Sequence, residues 1–254
     1  ELRHFVGLVA LEFLRKSTLG WAGRKASALE QEVGDGESVL ILHGGGRGPD
    51  ECKSIEVMRF VNLVVLNLGR ADSKFIVQLG TIGEDGQTQP SCKLPALKIK
   101  EQEIPNDALD RMMKQYLDLY RDGLQILHND KEETLDISER YSGIPCKYIR
   151  NIIYAQIDES KVDDDICFVE DPMAATICPC PDTPEVMVVN QGDKGVRLYA
   201  WVTDEQMDIL KQQQAERDEW IKQLVVPKDI AANGRKQALN PVGSFIHGTE
   251  TTFR

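Results

Sequence analysis

The residues best suited to chemistry lie between Lys93 and Asp118, in the stretch KLPALKIKEQEIPNDALDRMMKQYLD. The carboxylates of Glu101 and Glu103 are the kind of oxygen ligand that hard divalent cations prefer. A cation held there could in turn bind a phosphate group and activate water. If the chain binds a small ligand, we expect it in a groove beside Lys98, Glu103 and Arg111.

The spacing within this stretch resembles the Nudix box, G-x5-E-x7-R-E-U-x-E-E-x-G-U, where U is an aliphatic residue. In that frame the first glutamate falls on Glu103, the arginine on Arg111 and the aliphatic position on Met113. The two glycines fall on Leu97 and Asp118, whose side chains stand where the backbone of the family turns tightly. The resemblance implies a loop–helix–loop within an α/β/α sandwich.

The positions that hold metal in the Nudix family carry other residues here. The later glutamates of the box fall on Met112, Gln115 and Tyr116. Met and Tyr offer no carboxylate and Gln offers an uncharged oxygen, so none of them can offset the charge of Mg²⁺ or Mn²⁺. Glu103 remains, at a position that mainly supports the loop in the family. We therefore expect a retained fold without the family's diphosphate hydrolysis, and neither a metal nor a cofactor.

The elements that would position this stretch follow from hydrophobic patterning. Runs of aliphatic and β-branched residues predict strands at 38–43, 60–68, 74–80, 148–157, 186–189 and 195–202. Apolar residues at helical spacing predict a helix from Asn106 or Asp107 to Gly123. A capping box at Thr203 and Gln206 opens a second helix to about Leu224. Residues 126–137 are predicted to be strand-like only at their ends.

This order of elements predicts an α+β fold, a Nudix-like α/β/α sandwich with a mixed sheet. We expect an N-terminal extension at 1–49, the Nudix-like domain at 50–225 and an extended C-terminal tail at 226–254. The alternative is an unrelated α+β domain that contains an amphipathic helix.

The N-terminal segment has a weaker resemblance of its own. GLVALEFL, followed by RKASALE and SVLILH, is similar to the tail of a cyclic-nucleotide-binding β-roll. That family binds phosphate with a glutamate and an arginine. Here Leu8 occupies the glutamate position, and Arg24 is the candidate for the arginine. A generic β-hairpin piece is the alternative.

Composition narrows the classes of partner. The 254 residues carry a formal charge of −11, which disfavours bulk nucleic-acid binding because phosphate backbones attract excess Lys and Arg. No run of about twenty apolar residues predicts a membrane span, although peripheral association stays open. The six cysteines are scattered, which favours reduced thiols in an intracellular compartment over a disulfide scaffold or a zinc site at Cys178 and Cys180.

The sequence therefore favours a non-catalytic Nudix-like interaction or scaffold module with protein partners, such as a subunit or domain of a larger assembly. Two alternatives stay open. One is a hydrolase of nucleoside diphosphate-linked compounds that uses Glu101 together with Glu103. The other is a regulatory nucleotide-binding module.

Overall fold

A computed structural model describes residues 7, 9–12, 14, 24–45, 54–83, 85–138, 140–141, 143–162, 177–190 and 195–224. Four helices and nine strands occur within these residues, and residues 7, 9–12 and 14 are also helical. In chain order they are α1 (Arg24–Gly34), β1 (Val39–Gly45), β2 (Ser54–Gly69), β3 (Phe75–Ile82), β4 (Thr88–Lys93), β5 (Ala96–Lys98), α2 (Pro105–Tyr116), β6 (Leu124–Ile137), β7 (Pro145–Ile157), β8 (Glu185–Asn190), β9 (Val196–Val202), α3 (Asp204–Gln212) and α4 (Gln214–Gln223).

One mixed sheet contains all nine strands, with the order β6-β7-β2-β3-β9-β8. Its centre is a parallel pair, in which β2 and β7 match from Arg59 opposite Cys146 to Gly69 opposite Gln156. The other edge of β2 is shared by three antiparallel strands: β1, then β5, then a single pair with β3 at Gly69 and Phe75. β4 pairs with β3. The predicted β2–β3 hairpin is therefore present, but its strands diverge at once.

Helices cover both faces of the sheet, and strand alternation sorts the core between them. On one face α2 packs against Val64, Leu66 and Leu68 of β2. On the other, α3 and α4 pack against Val77 and Leu79 of β3. In β9 the split is equally clean, since Tyr199 and Trp201 face α2 whereas Leu198, Ala200 and Val202 face α3 and α4. The predicted α+β architecture with a mixed sheet is confirmed.

The predicted helices form, with different ends. α2 begins at Pro105, after Ile104, and stops at Tyr116; a short 3-10 turn at Asp118–Tyr120 replaces its predicted last turn. The second predicted helix is divided at Gln213 into α3 and α4. Its start is as predicted, because the Gln206 backbone N–H donates to Thr203 Oγ1 over 3.2 Å and the Thr203 N–H donates to Gln206 Oε1 over 2.9 Å.

Two predictions of local structure were wrong. Residues 124–137 form one strand, β6, because β7 pairs with it at every position except Leu127, where the register shifts, and holds its polar centre extended. The described residues before β1 include no strand: residues 7, 9–12 and 14 and α1 (Arg24–Gly34) are helical. Leu29 and Val33 lie on the buried side of α1. Leu8 and the predicted tail at 226–254 lie outside the described residues.

None of the described helices is long and apolar enough to cross a membrane.

Candidate functional site

The loop between β5 and α2 is shaped by the first half of the box-like stretch. The Lys100 backbone N–H donates to Glu103 Oε2 over 2.8 Å, and the Glu103 N–H donates to the Lys100 carbonyl over 3.1 Å. Gln102 has a φ of +71°, in the left-handed region that side chains other than glycine rarely adopt. The loop is thus a tight turn closed on the Glu103 side chain.

Arg111 of α2 holds this loop by a bidentate ion pair. Its Nε lies 2.7 Å from Glu103 Oε1, and its Nη2 lies 2.7 Å from Glu103 Oε2. The same Nη2 donates to the Lys98 carbonyl over 2.8 Å. The hydrogen bonds from Arg111 lower the pKa of Glu103, so this carboxylate is ionised at neutral pH. The structure therefore joins the two box residues, and both oxygens of Glu103 are engaged.

The ammonium of Lys98 points to a different set of carboxylates. Lys98 Nζ lies 2.9 Å from Glu32 Oε2 and 3.0 Å from Glu37 Oε2, at the end of α1. Of the three residues predicted to share a groove, only Glu103 and Arg111 have their side chains in contact. Lys98 contributes its carbonyl to that pair and its side chain to a neighbouring one.

That neighbouring cluster is centred on Glu32, which is only 4% exposed. Arg59 donates to Glu32 Oε1 from Nε, over 2.8 Å, and from Nη2. The Tyr141 hydroxyl donates to Glu32 Oε2 over 3.0 Å. Burial alone would raise the pKa of Glu32, but the hydrogen bonds from Lys98 and Arg59 outweigh it and lower the pKa to about 2. The cluster fixes α1 against β2 and β5 through ionised groups.

Sequence reasoning missed this cluster. Glu32 and Arg59 are 27 residues apart, and neither belongs to a motif. The available signal was the position of Glu32 beside Val33 and three residues after Leu29, on the apolar face of a short helix. A carboxylate on such a face requires a partner when it is buried.

A cleft of about 590 Å³ opens between the end of α1, the start of β1, the middle of β2 and the β5–α2 loop. Glu103 and Glu37 line it, whereas Arg111 and Lys98 hold these carboxylates from behind. The remaining lining is mostly apolar and includes Phe60, Ile99 and Ile149. Of the three residues predicted to line a ligand groove, Glu103 lines this cleft and Lys98 and Arg111 do not, and the α1 segment that forms its other wall was not anticipated.

The inward face of α2, which carries Met112 and Tyr116, is part of the core. Met112 is fully buried and Tyr116 is 6% exposed, and both pack with β2 and β7 residues beneath the helix. Gln115 is partly exposed and lines a shallow depression of about 410 Å³ with Asp107, Asp110, Arg111 and Lys114. No three His, Cys, Asp or Glu residues within the described parts of the chain are grouped closely enough to hold a metal ion.

Comparison with known proteins gives no sequence family: no family model matches the chain, and no curated protein does. Among solved structures, the chain is similar to an Ap4A hydrolase of C. elegans in a binary complex, with 15% identity, a TM-score of 0.33, and coverage of 63% of this chain and 91% of that one. It is also similar to a NUDIX hydrolase from Nitrosomonas europaea, with 16% identity, a TM-score of 0.33, and coverage of 61% and 78%.

Proposed function

We propose that this chain is a non-catalytic Nudix-like module that binds other proteins. Its loop–helix stretch has the spacing of the box, and the Glu103–Arg111 pair closes the loop on the helix. The observation that carries the non-catalytic half is the burial of Met112 and Tyr116 at two of the positions where the family places metal-binding glutamates. Buried apolar side chains there stabilise the fold and supply no charge to a cation.

The interaction half of the proposal rests on the edge of the sheet. β6 pairs with β7 on one side and with no described strand on the other. It is 14 residues long, and all of them beyond Leu124 are exposed. Four of its large apolar side chains are between 52% and 68% exposed: Ile126, Leu127, Leu135 and Ile137. Long exposed edge strands are templates for pairing with another chain.

The charges of β6 select a basic partner. The strand carries four acidic residues and one lysine, which gives a net charge of −3. Two copies of this strand placed side by side would bring like charges together, and like charges directly opposite each other destabilise a strand pair. We propose that the occupant is an extended, basic, partly apolar segment of another protein that adds to β6 as a strand.

A pair of synthetic peptides tests this surface. A fluorescent peptide of five Lys-Val repeats should bind the protein and slow hydrogen exchange of residues 124–137, while a Glu-Val peptide of equal length should not bind. The double variant Asp130→Asn, Glu132→Gln should weaken binding roughly three- to tenfold, since two cross-strand charge pairs are lost. The matched variant Glu205→Gln, Asp208→Asn, on the exposed side of α3, should bind as the wild type does.

Three results would count against the β6 surface. The first is equal binding of both peptides, and the second is protection from exchange outside 124–137. The third is a concentration-dependent dimer whose β6 amides are protected without peptide, which would identify a second copy as the occupant.

One observation supports the alternative hypothesis of a hydrolase: Glu101 and Glu103 line the same cleft. However, Arg111 engages both oxygens of Glu103, which limits their use as metal ligands. Turnover of a diphosphate compound that required Glu103 would favour this alternative over the binding module.

A further inference from the structure

Four sulfur-containing side chains meet at the start of α3. Cys180 and Met207 are buried in the core beneath α3 and α4, and Cys92 and Cys178 pack against the same core. Cys92 Sγ lies 3.4 Å from Met207 Sδ. Cys180 Sγ lies 3.8 Å from the carbonyl oxygen of Gln206, the residue before Met207. The fold therefore brings sulfur atoms from β4, from α3 and from the loop before β8 into one cluster.

The loop that carries Cys178 and Cys180 is fixed to α3 by Gln206. The Gln206 side chain donates from Nε2 to the Asp182 carbonyl over 2.8 Å, while its Oε1 accepts from the Thr203 backbone N–H over 2.9 Å. One side chain thus joins the loop to the N-terminal cap of α3. Cys178 and Cys180 are both free thiols in this arrangement. Ligands that the fold already holds in place lose little conformational entropy when they bind a metal ion.

Burial keeps the thiols of this cluster protonated, while two cations lie nearby. Burial raises the pKa of the Cys180 thiol to about 12, and the neighbouring thiols add to the rise. Burial also raises the pKa of Cys92, but Arg217 and Lys211 oppose that rise. Arg217 is paired with Asp218, so the net positive charge comes from Lys211. A metal ion that binds here must displace thiol protons, and Lys211 offsets negative charge that the complex retains.

We infer that Cys178 and Cys180 bind Cu(I) as a pair of thiolates, with the sulfurs of Met207 and Cys92 beside them. Thiolate and thioether sulfurs select this soft cation over Mg²⁺ or Ca²⁺. Structural Zn²⁺ needs four ligands, and within the described part of the chain no three His, Cys, Asp or Glu residues are grouped to hold it.

Cu(I), by contrast, is stable with two sulfur ligands. Binding releases one proton from each thiol, and Cu⁺ with two thiolates then forms a complex with one negative charge. No electron is transferred, so the step needs neither an oxidant nor a reductant. The site does not depend on whether β6 binds a peptide.

Competition with a copper chelator tests the site on the reduced full chain. Under nitrogen, the coloured complex of Cu(I) with bicinchoninate is titrated with the protein. We expect the protein to withdraw one Cu(I) per chain and to gain ultraviolet absorption from thiolate-to-copper charge transfer. Zn²⁺ added in excess should not displace the copper. Copper that stays with the chelator at every protein concentration, or copper that Zn²⁺ displaces, would overturn the inference.

Single substitutions identify the ligands, each in a variant shown to be folded by circular dichroism. Cys178→Ser should weaken Cu(I) binding by about a hundredfold or more, because loss of even a residue that supports a metal ligand typically costs about 10- to 100-fold. Cys178 is partly exposed, so serine there leaves the core intact. Cys146→Ala removes a thiol of β7 outside the cluster and is the matched control. If Cys178→Ser binds Cu(I) as the wild type does, or if Cys146→Ala loses it, the assignment is wrong.

Discussion

At the scale of single residues, the charged side chains around α1 and the β5–α2 loop form ion pairs with one another. Glu103 is held by Arg111, and Glu32 is held by Arg59, Lys98 and Tyr141. The second group is the more buried one, so it should matter more to stability. A buried ion pair adds little over well-packed apolar residues, but breaking one partner leaves the other charge buried and uncompensated.

Glu32→Gln should therefore lower the free energy of unfolding by about 3 to 5 kcal/mol, since it leaves the Arg59 guanidinium, 5% exposed, without its counter-charge. Denaturant unfolding followed by circular dichroism measures the change. Asp35→Asn, an exposed residue just after the same helix, is the control and should shift stability by less than about 0.5 kcal/mol. Equal stability of the two variants would contradict the role given to Glu32.

The same residue predicts a pH dependence. The pKa of Glu32 is about 2 in the folded chain against an ordinary value of 4.5, so the unfolded chain binds the proton more readily. The stabilisation from Glu32 is complete above pH 4.5 and is lost as pH falls through 2. Unfolding free energies measured between pH 6 and pH 2 should fall more steeply for the wild type than for Glu32→Gln, by about 3 kcal/mol in total. Parallel curves would show that Glu32 is not ionised in this way.

At the scale of elements, α2 shows most directly how the box-like stretch is used. Its inward face carries Ala108, Leu109, Met112, Met113 and Tyr116, all buried. Hydrophobic spacing predicted this face, and the structure agrees, because packing against β2 requires the same periodicity. Met112 and Tyr116, which fall on two of the glutamate positions in the spacing of the box, are therefore core residues in this chain.

Truncation of that face should be costly in proportion to the cavity formed. Met112→Ala should destabilise the fold by about 2 to 5 kcal/mol, and Met112→Leu by less than about 1.5 kcal/mol, because leucine nearly conserves the volume. Gln115→Ala, on the partly exposed side of the helix, should have a small effect. Thermal and chemical unfolding of the three variants measures the order. A mild Met112→Ala would mean that this side chain does not lie in the core.

The elements also show where prediction from sequence stops. β2 and β7 were predicted because buried parallel strands are long aliphatic runs. β6 was only half predicted, since its polar centre becomes a strand through pairing with β7, which no local pattern records. The break between α3 and α4 at Gln213 could not be predicted, because no glycine or proline lies there. The position of α1 beside the cleft depends on the ion pair between Glu32 and Arg59, which only the tertiary structure brings together.

At the scale of the whole molecule, the chain is acidic. The net charge is −11, and the exposed strand β6 carries −3. Electrostatic attraction between exposed groups is screened by salt, and the Debye length falls from about 10 Å at 0.1 M to about 3 Å at 1 M. If the charge of β6 selects a basic partner, as we propose, that binding should be sensitive to salt.

Salt should therefore weaken binding of the Lys-Val peptide. Between 0.05 M and 1 M NaCl, fluorescence anisotropy should show a clear loss of affinity for the wild type and a smaller loss for Asp130→Asn, Glu132→Gln, which has fewer charges to screen. Affinity that stays constant or rises with salt would indicate that apolar contact rather than charge selects the partner.

We propose that the chain binds partners without hydrolysing diphosphates. The most direct test incubates the protein with Mg²⁺ or Mn²⁺ and ADP-ribose, nucleotide sugars and dinucleoside polyphosphates, and follows products by phosphorus NMR. Glu103→Gln, shown to be folded by circular dichroism, is run in parallel. We predict no product above the protein-free background for either protein. Turnover by the wild type that disappears in Glu103→Gln would contradict the account.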